Sequence, residues 1–369
     1  MPAHFMPANS HGPSMQRRRL LKNAAGLLGA SLSTPYMVGV QASEAARQTG
    51  VVIDSRFDLP AFGARHPEQP ARVQAVNRVL RASESIDRLQ TLAIDDQAVN
   101  AAIERVHTGQ HVASIGVTYD ADINRLARAG VGAVLAGVEA VAAGTVRNAF
   151  IASRPPGHHA SNTGEEEGFC FFNNIAIAAR HLQQNLGFKR VLIVDWDYHH
   201  GNGTEALFYD DPSVFYFSTH DPEAYPRTGD ASRTGQGPGA GYTRNVPLPC
   251  GTSDRDMLAV YHDVLVPIAR RFDPDFVLIS AGFDSRVDDL LGCFALTDEG
   301  YAAMTRIVGD IAARHCAGRL VSMLEGGYNV AGLASAALAH VNALVALAAE
   351  SGQGAPPSSP QPARASPRP

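Results

Sequence analysis

Along the middle of the chain, apolar residues gather in short unbroken runs. Val51-Val52-Ile53-Asp54, Ala149-Phe150-Ile151-Ala152, Val191-Leu192-Ile193-Val194, Val214-Phe215-Tyr216-Phe217, Phe276-Val277-Leu278-Ile279 and Leu320-Val321-Ser322-Met323-Leu324 are the strand candidates. A strand with one wet face alternates apolar with polar; runs apolar along most of their length mark strands covered on both faces. The stretches between them, such as 174–185 and 254–271, carry helical spacing. Strand and helix in alternation predict an α/β fold of three layers, α/β/α, around a mainly parallel central sheet.

In sheets of this kind ligands bind at the carboxyl ends of the strands. The unusual polar segments of the chain sit there. Residues 154–159, 195–200, 218–221, 280–284 and 325–328 each follow one of the apolar runs. The topology therefore brings these segments to one edge of the sheet, where an active site is expected.

The two ends have a different character. Gln16-Arg17-Arg18-Arg19-Leu20-Leu21-Lys22 precedes a charge-free stretch, Ala24 to Val40, rich in Ala, Gly, Leu and Ser, with small residues near Val40-Gln41-Ala42. A basic region, a short apolar region and a small-residue site predict an export signal over 1–42. Its Arg-Arg-x-Leu-Leu-Lys resembles the twin-arginine type, which implies a periplasmic protein; the alternative is a cytoplasmic one. Gly residues and Pro35 interrupt the apolar stretch, which favours cleavage over a stable membrane span. Residues 351–369 are dense in Pro, Ser and Ala and predict a disordered tail. That leaves 43–350 as the catalytic domain. Its balance is ordinary: the whole chain of 369 residues is 45% hydrophobic and 18% charged, with a formal net charge of -5. Such a charge argues against a nucleic-acid partner held through phosphates. The four cysteines, Cys170, Cys250, Cys293 and Cys316, form no CxxC pair and read neither as a thiolate zinc site nor as a dense disulfide framework.

The chemistry lies in the polar segments. In Asp195-Trp196-Asp197-Tyr198-His199-His200-Gly201-Asn202, extended backbone would turn Asp195, Asp197 and His199 to one side. Asp with His offers an oxygen and a nitrogen suited to Zn²⁺, and Asp284 is placed to supply a third ligand. Three protein ligands leave one position open, as catalytic zinc requires. In Arg154-Pro155-Pro156-Gly157-His158-His159, a rigid turn projects two histidines that can move a proton between water and a leaving amine. In Glu325-Gly326-Gly327-Tyr328, paired glycines allow close backbone approach, and the Tyr hydroxyl can donate to a developing oxyanion.

Taken in order, Arg-Pro-Pro-Gly-His-His, Asp-Trp-Asp-Tyr-His-His-Gly-Asn-Gly-Thr, Ser-Ala-Gly-Phe-Asp and Glu-Gly-Gly-Tyr resemble the zinc-dependent histone deacetylase superfamily, which includes bacterial histone deacetylase-like amidohydrolases and acetylpolyamine amidohydrolases. The resemblance runs from about Asp54 to Val345 and implies the arginase/deacetylase fold, with one catalytic zinc on Asp197, His199 and Asp284. It implies His159 as general base, His158 as its electrostatic partner, and Tyr328 as the group that polarises the scissile carbonyl. Asp195 would orient His158, and Asn202 would pair with His159. The Asn looks like the class II branch and should leave the base less basic than an Asp would. A structural K⁺ is implied at Asp195, Asp197, His199, Ser218 and Thr219. Gly168, Phe169 and Tyr225 fall at the walls of an acyl tunnel. Leu291 falls at a rim position that is Glu in eukaryotic polyamine deacetylases, so no anion stands there for a polycation.

Two segments depart from the family's pattern. The stretch after His107-Thr108-Gly109-Gln110-His111 is short, leaving Asp120 or Asp122 to serve as the rim Asp that grips a peptide, and Asp288-Asp289-Leu290-Leu291 replaces Gly-Asp-Pro-Leu. Both lie at the rim and bear on substrate choice. The expected function is hydrolysis of N-acyl amides of lysine or related amines, releasing acetate and free amine from a peptide or small molecule. The alternatives are an acetylpolyamine or other small-molecule amidohydrolase, a non-catalytic ligand-binding member and, on the same fold, a dimanganese ureohydrolase. Tandem His158-His159 and Tyr328 argue for one zinc over two manganese ions.

Overall fold

The computed structural model describes residues 48–350, apart from Ala61 and Ala64. The expected export signal over 1–42 and the expected tail over 351–369 lie outside the described residues. Eight strands form one sheet: β1 (Thr49–Val52), β2 (Leu89–Thr91), β3 (Asn148–Ile151), β4 (Val191–Asp195), β5 (Val214–His220), β6 (Thr243–Pro247), β7 (Phe276–Ala281) and β8 (Leu320–Leu324). Their order is β2-β1-β3-β8-β7-β4-β5-β6, and every pairing is parallel. Helices cover both faces, the expected three-layer α/β/α arrangement.

The six strands read from apolar runs are the six inner ones, each buried along its length. The two that the pattern does not reveal are the edges. β2 has three residues, none buried, and β6 alternates before ending at Pro247, which cannot donate to a further strand. An edge strand needs no continuous apolar run because one side of it meets solvent.

Helical spacing over 254–271 is realised as two helices, Asp254–Val260 and Val266–Phe272, joined by a π turn at Tyr261–Leu265. Pro267 has no N–H to give to the preceding turn, and a wider turn accommodates that loss. The helix Val330–Glu350 is the one described segment long and apolar enough to cross a membrane; 56% of its most apolar window is buried inside the molecule. It packs on the helices Asp298–His315 and Ala71–Ala82. Cys250 and Cys293 are joined by a disulfide that ties the segment after β6 to the loop after β7, while Cys170 and Cys316 are free and buried.

Candidate active site

Strand β4 ends at Asp195, so Asp197 and His199 project from the turn beyond it rather than from extended backbone. The Asp195 carboxylate makes this turn by accepting the Asp197 N–H at 3.1 Å, and Asp197 in turn accepts the His199 N–H at 2.8 Å. Asp195 therefore does not join the other two; its second oxygen faces His158 and the Tyr216 hydroxyl. The third member comes from the end of β7. Asp284 accepts the Tyr198 N–H at 2.9 Å through one oxygen and turns the other to His199 Nδ1 at 3.0 Å. His199 Nδ1 is also 3.2 Å from Asp197. One ligand atom each from Asp197, His199 and Asp284 lies within 4.8 Å of the others.

The electrostatics of this trio call for a cation. Burial and the charge of Asp197 push the Asp284 carboxyl up to about 7. For His199, burial opposes charging, yet hydrogen bonds with Asp197 and Asp284 hold the imidazole up at about 10. Two buried carboxylates thus crowd one nitrogen, and a divalent ion relieves their repulsion as a shared proton does only in part. The β8 turn is shaped for the same purpose. A side chain at Gly326 would collide with both the Asp284 and Asp197 carboxylates, and the Gly326 N–H instead donates to Asp197 at 2.7 Å.

His158 and His159 are neighbours in sequence, with ring centroids 4.1 Å apart, and their environments differ. Burial works against a charge on His158, but Asp197 and Asp195 raise it well above the ordinary imidazole value; its Nδ1 is 3.1 Å from Asp195. His159 is depressed, by burial first and then by the charges of His158 and His199. Its Nδ1 lies 2.7 Å from Asn202 Oδ1. An acceptor there places the proton on Nδ1 and leaves Nε2 with a lone pair. Charge is thus favoured on His158 and disfavoured on His159.

Gly168 and Phe169 both have positive φ, 55° and 71°, which turns the chain sharply. At Gly168 any side chain would meet the His159 ring and Tyr225. Tyr225 stands edge-on to His159 at 4.9 Å, and the Phe169 ring stands edge-on to Tyr328 at 5.9 Å. Gly168 and Tyr225 thus lie against His159, and Phe169 lies against Tyr328. Tyr328 is buried, and burial raises its hydroxyl well above the usual value, keeping it a proton donor. Leu291 is 41% exposed on the loop after Asp284. Ser218 and Thr219 lie buried at the end of β5, where the Thr219 hydroxyl faces that of Tyr261. Asp120 and Asp122 are exposed; Asp120 caps the helix Ala121–Ala142 through one oxygen, and Asp122 pairs with Arg125.

Several supporting residues were not singled out by sequence reasoning. Arg72, fully buried, donates to the Gly327 carbonyl at 2.7 Å and lies 4.9 Å over the Tyr328 ring. Glu68 bridges Arg72 and Arg154, and Asp289 accepts the Tyr328 and Asn329 N–H groups at 2.7 and 3.0 Å. At the mouth, His66 stacks on Phe62 and meets Phe169 edge-on at 4.6 Å. The signal for Arg72 was present, since an arginine on the buried face of an apolar helix demands a partner.

A family model described as Histone deacetylase domain matches residues 66–344. Histone deacetylase 15 of Arabidopsis thaliana is 39% identical over 328 residues, covering 82% of this chain and 58% of the relative. A probable deacetylase of Archaeoglobus fulgidus is 38% identical, covering 77% of this chain and 82% of that one. The crystal structure of the HDA15 HD domain superposes with a TM-score of 0.76 at 37% identity, over 81% of this chain and 90% of that one. The chain spans less than two thirds of some of these relatives, 58% of the Arabidopsis protein and 32% of histone deacetylase 6 of Caenorhabditis elegans.

Proposed function

Because the chain belongs to the histone deacetylase family and has its arginase/deacetylase fold, we propose that it is a zinc-dependent deacetylase that hydrolyses N-acyl amides of lysine or a related amine. The observation that carries this reading is the meeting, in one buried site, of the Asp197–His199–Asp284 trio, a neutral His159 and the Tyr328 hydroxyl. A zinc ion held by that trio would act as a Lewis acid on the scissile carbonyl and lower the pKa of water bound beside it. His159 takes a proton at Nε2, with Asn202 holding its other nitrogen. His158, charged through Asp195 and Asp197, steadies negative charge developing nearby and is the proton source for the departing amine. Tyr328 donates its proton in a hydrogen bond to the carbonyl oxygen as that oxygen becomes an anion.

A structural K⁺ is part of the same reading. Carbonyls of Asp195, Asp197 and His199 with oxygens of Ser218 and Thr219 suit a hard cation, and Ser218 and Thr219 are both buried. Gly168, Phe169 and Tyr225 line the acyl tunnel, and Leu291 at the rim favours acyl-lysine over acetylpolyamines. Export fits the Cys250–Cys293 bridge, since disulfides persist in oxidising compartments.

The test is a substrate panel of acetyl-lysine peptides, longer acyl-lysines and acetylpolyamines, with acetate or the longer acid measured as product. Turnover of an acyl-lysine above that of acetylpolyamines is expected. No acid released from any of them would overturn the hydrolase reading.

A further inference from the structure

Glu325 follows β8 without exposure to solvent, and among the described residues no lysine or arginine side chain pairs with its carboxylate. A buried carboxylate is costly to desolvate, and the charge of His158 offsets that cost only in part, so its position demands an account. Its contacts supply one. One oxygen accepts the Gly157 N–H at 2.6 Å and the His158 N–H at 3.2 Å; the other accepts the Ser280 hydroxyl at 3.0 Å. Gly157 and His158 belong to the segment after β3, and Ser280 belongs to β7. In the sheet β8 lies between β3 and β7. One side chain at the end of the middle strand therefore binds the ends of both neighbours.

The chain continues from Glu325 through Gly326 and Gly327 straight to Tyr328. The Gly326 N–H holds Asp197, and Arg72 holds the Gly327 carbonyl. The residue that fixes the backbone of the histidine pair is thus three positions from the hydroxyl that must act opposite it. Resting on the deacetylase reading above, we propose that Glu325 is a positioning residue: its carboxylate sets the register between the His158–His159 turn and the Tyr328 turn. Base and oxyanion donor then converge on one carbonyl. The Glu325 carboxylate makes no hydrogen bond to the side chains of Asp197, His199 or Asp284. Its role is geometric, exerted through consecutive backbone N–H groups that no other described side chain satisfies.

Two variants separate geometry from charge. Gln at 325 can keep the clamp, its carbonyl accepting from Gly157 and His158 and its amide donating to the Ser280 hydroxyl. Ala cannot. For Glu325→Ala, kcat should fall about a hundredfold, the loss typical of an ångström-scale misplacement, with KM within about twofold and one zinc retained per chain by mass spectrometry. Glu325→Gln should restore kcat to within about threefold of wild type. Wild-type kcat in the Ala variant would overturn the proposal, and so would a Gln variant as slow as Ala, which would assign the effect to charge. If the Ala variant fails to fold, Ser280→Ala removes one arm of the clamp alone. It should lower kcat several-fold at unchanged KM, and an unchanged kcat would count against the clamp. Failure of the deacetylase reading is distinct, because the wild-type protein itself would then release no acid from acyl amines.

Discussion

At the floor of the site the side chains are locked between strand ends, whereas at its mouth they stand in solvent. Asp284 is 0% exposed, Asp197 1% and His158 2%; Tyr225 is 49% exposed and Leu290 70%. Every floor carboxylate accepts at least one backbone N–H, and the turns carrying them are fixed by glycines that admit no side chain. The mouth is built from loops: Glu165 to Phe169, Tyr225, and the segment after Asp284. Such a division lets one reaction be held constant while the group it acts on varies. Floor substitutions should therefore lower turnover of every substrate alike, and mouth substitutions should reorder substrates.

The largest effect is expected from Asp197→Ala. It should lose zinc and drop turnover below about one thousandth of wild type for all substrates. Stoichiometric metal in that variant, read by native mass spectrometry, would remove Asp197 from the ligand set. Tyr328→Phe comes next: kcat should fall by about a hundredfold to a thousandfold with zinc kept. An unchanged kcat would take the oxyanion role from this hydroxyl.

A third expectation concerns the buried histidines behind the floor. Burial holds His107 down at about 4, and His220 and His340 at about 3. Their folded values lie below that of an unfolded imidazole, so the unfolded chain binds more protons as pH falls. The stability they contribute is whole above about 6.5 and is lost progressively toward pH 3. His340→Gln removes one of these groups, so the change in urea stability between pH 7 and pH 5 should be less unfavourable in that variant than in wild type. An identical pH dependence in the two proteins would contradict the buried neutral state of His340.

The smallest effect belongs to the mouth. Leu291→Glu places a carboxylate where a polycation would pass, and should improve acetylpolyamine relative to acetyl-lysine by no more than about fivefold. Zinc content and kcat on acetyl-lysine should hold. A fall in both would mean that Leu291 supports the floor.

The division also accounts for what could be read in the sequence. Asp197, His199, Asp284, His158, His159 and Tyr328 were legible because each follows a largely apolar run, and such runs identify inner parallel strands. β2 and β6 were not, because an edge strand is short or alternating and resembles a loop. Asp195 was read as facing the same way as Asp197, but the strand stops at Asp195 and the turn separates them. The Glu68–Arg154 pair was hidden for another reason: its members lie 86 residues apart in sequence, and spacing carries no record of such a contact. The Cys250–Cys293 pair, 43 residues apart, is of the same kind. The mouth was least legible, since its loops obey no period.

On the proposed function, one zinc ion on Asp197, His199 and Asp284 is necessary and sufficient to switch on the site. The direct measurement is to strip the protein with a chelator and titrate zinc back while following acetate release from an acetyl-lysine peptide. Activity should be absent without metal, rise linearly and reach its plateau at one equivalent per chain. Turnover in the stripped protein, or a plateau only at two equivalents, would contradict it.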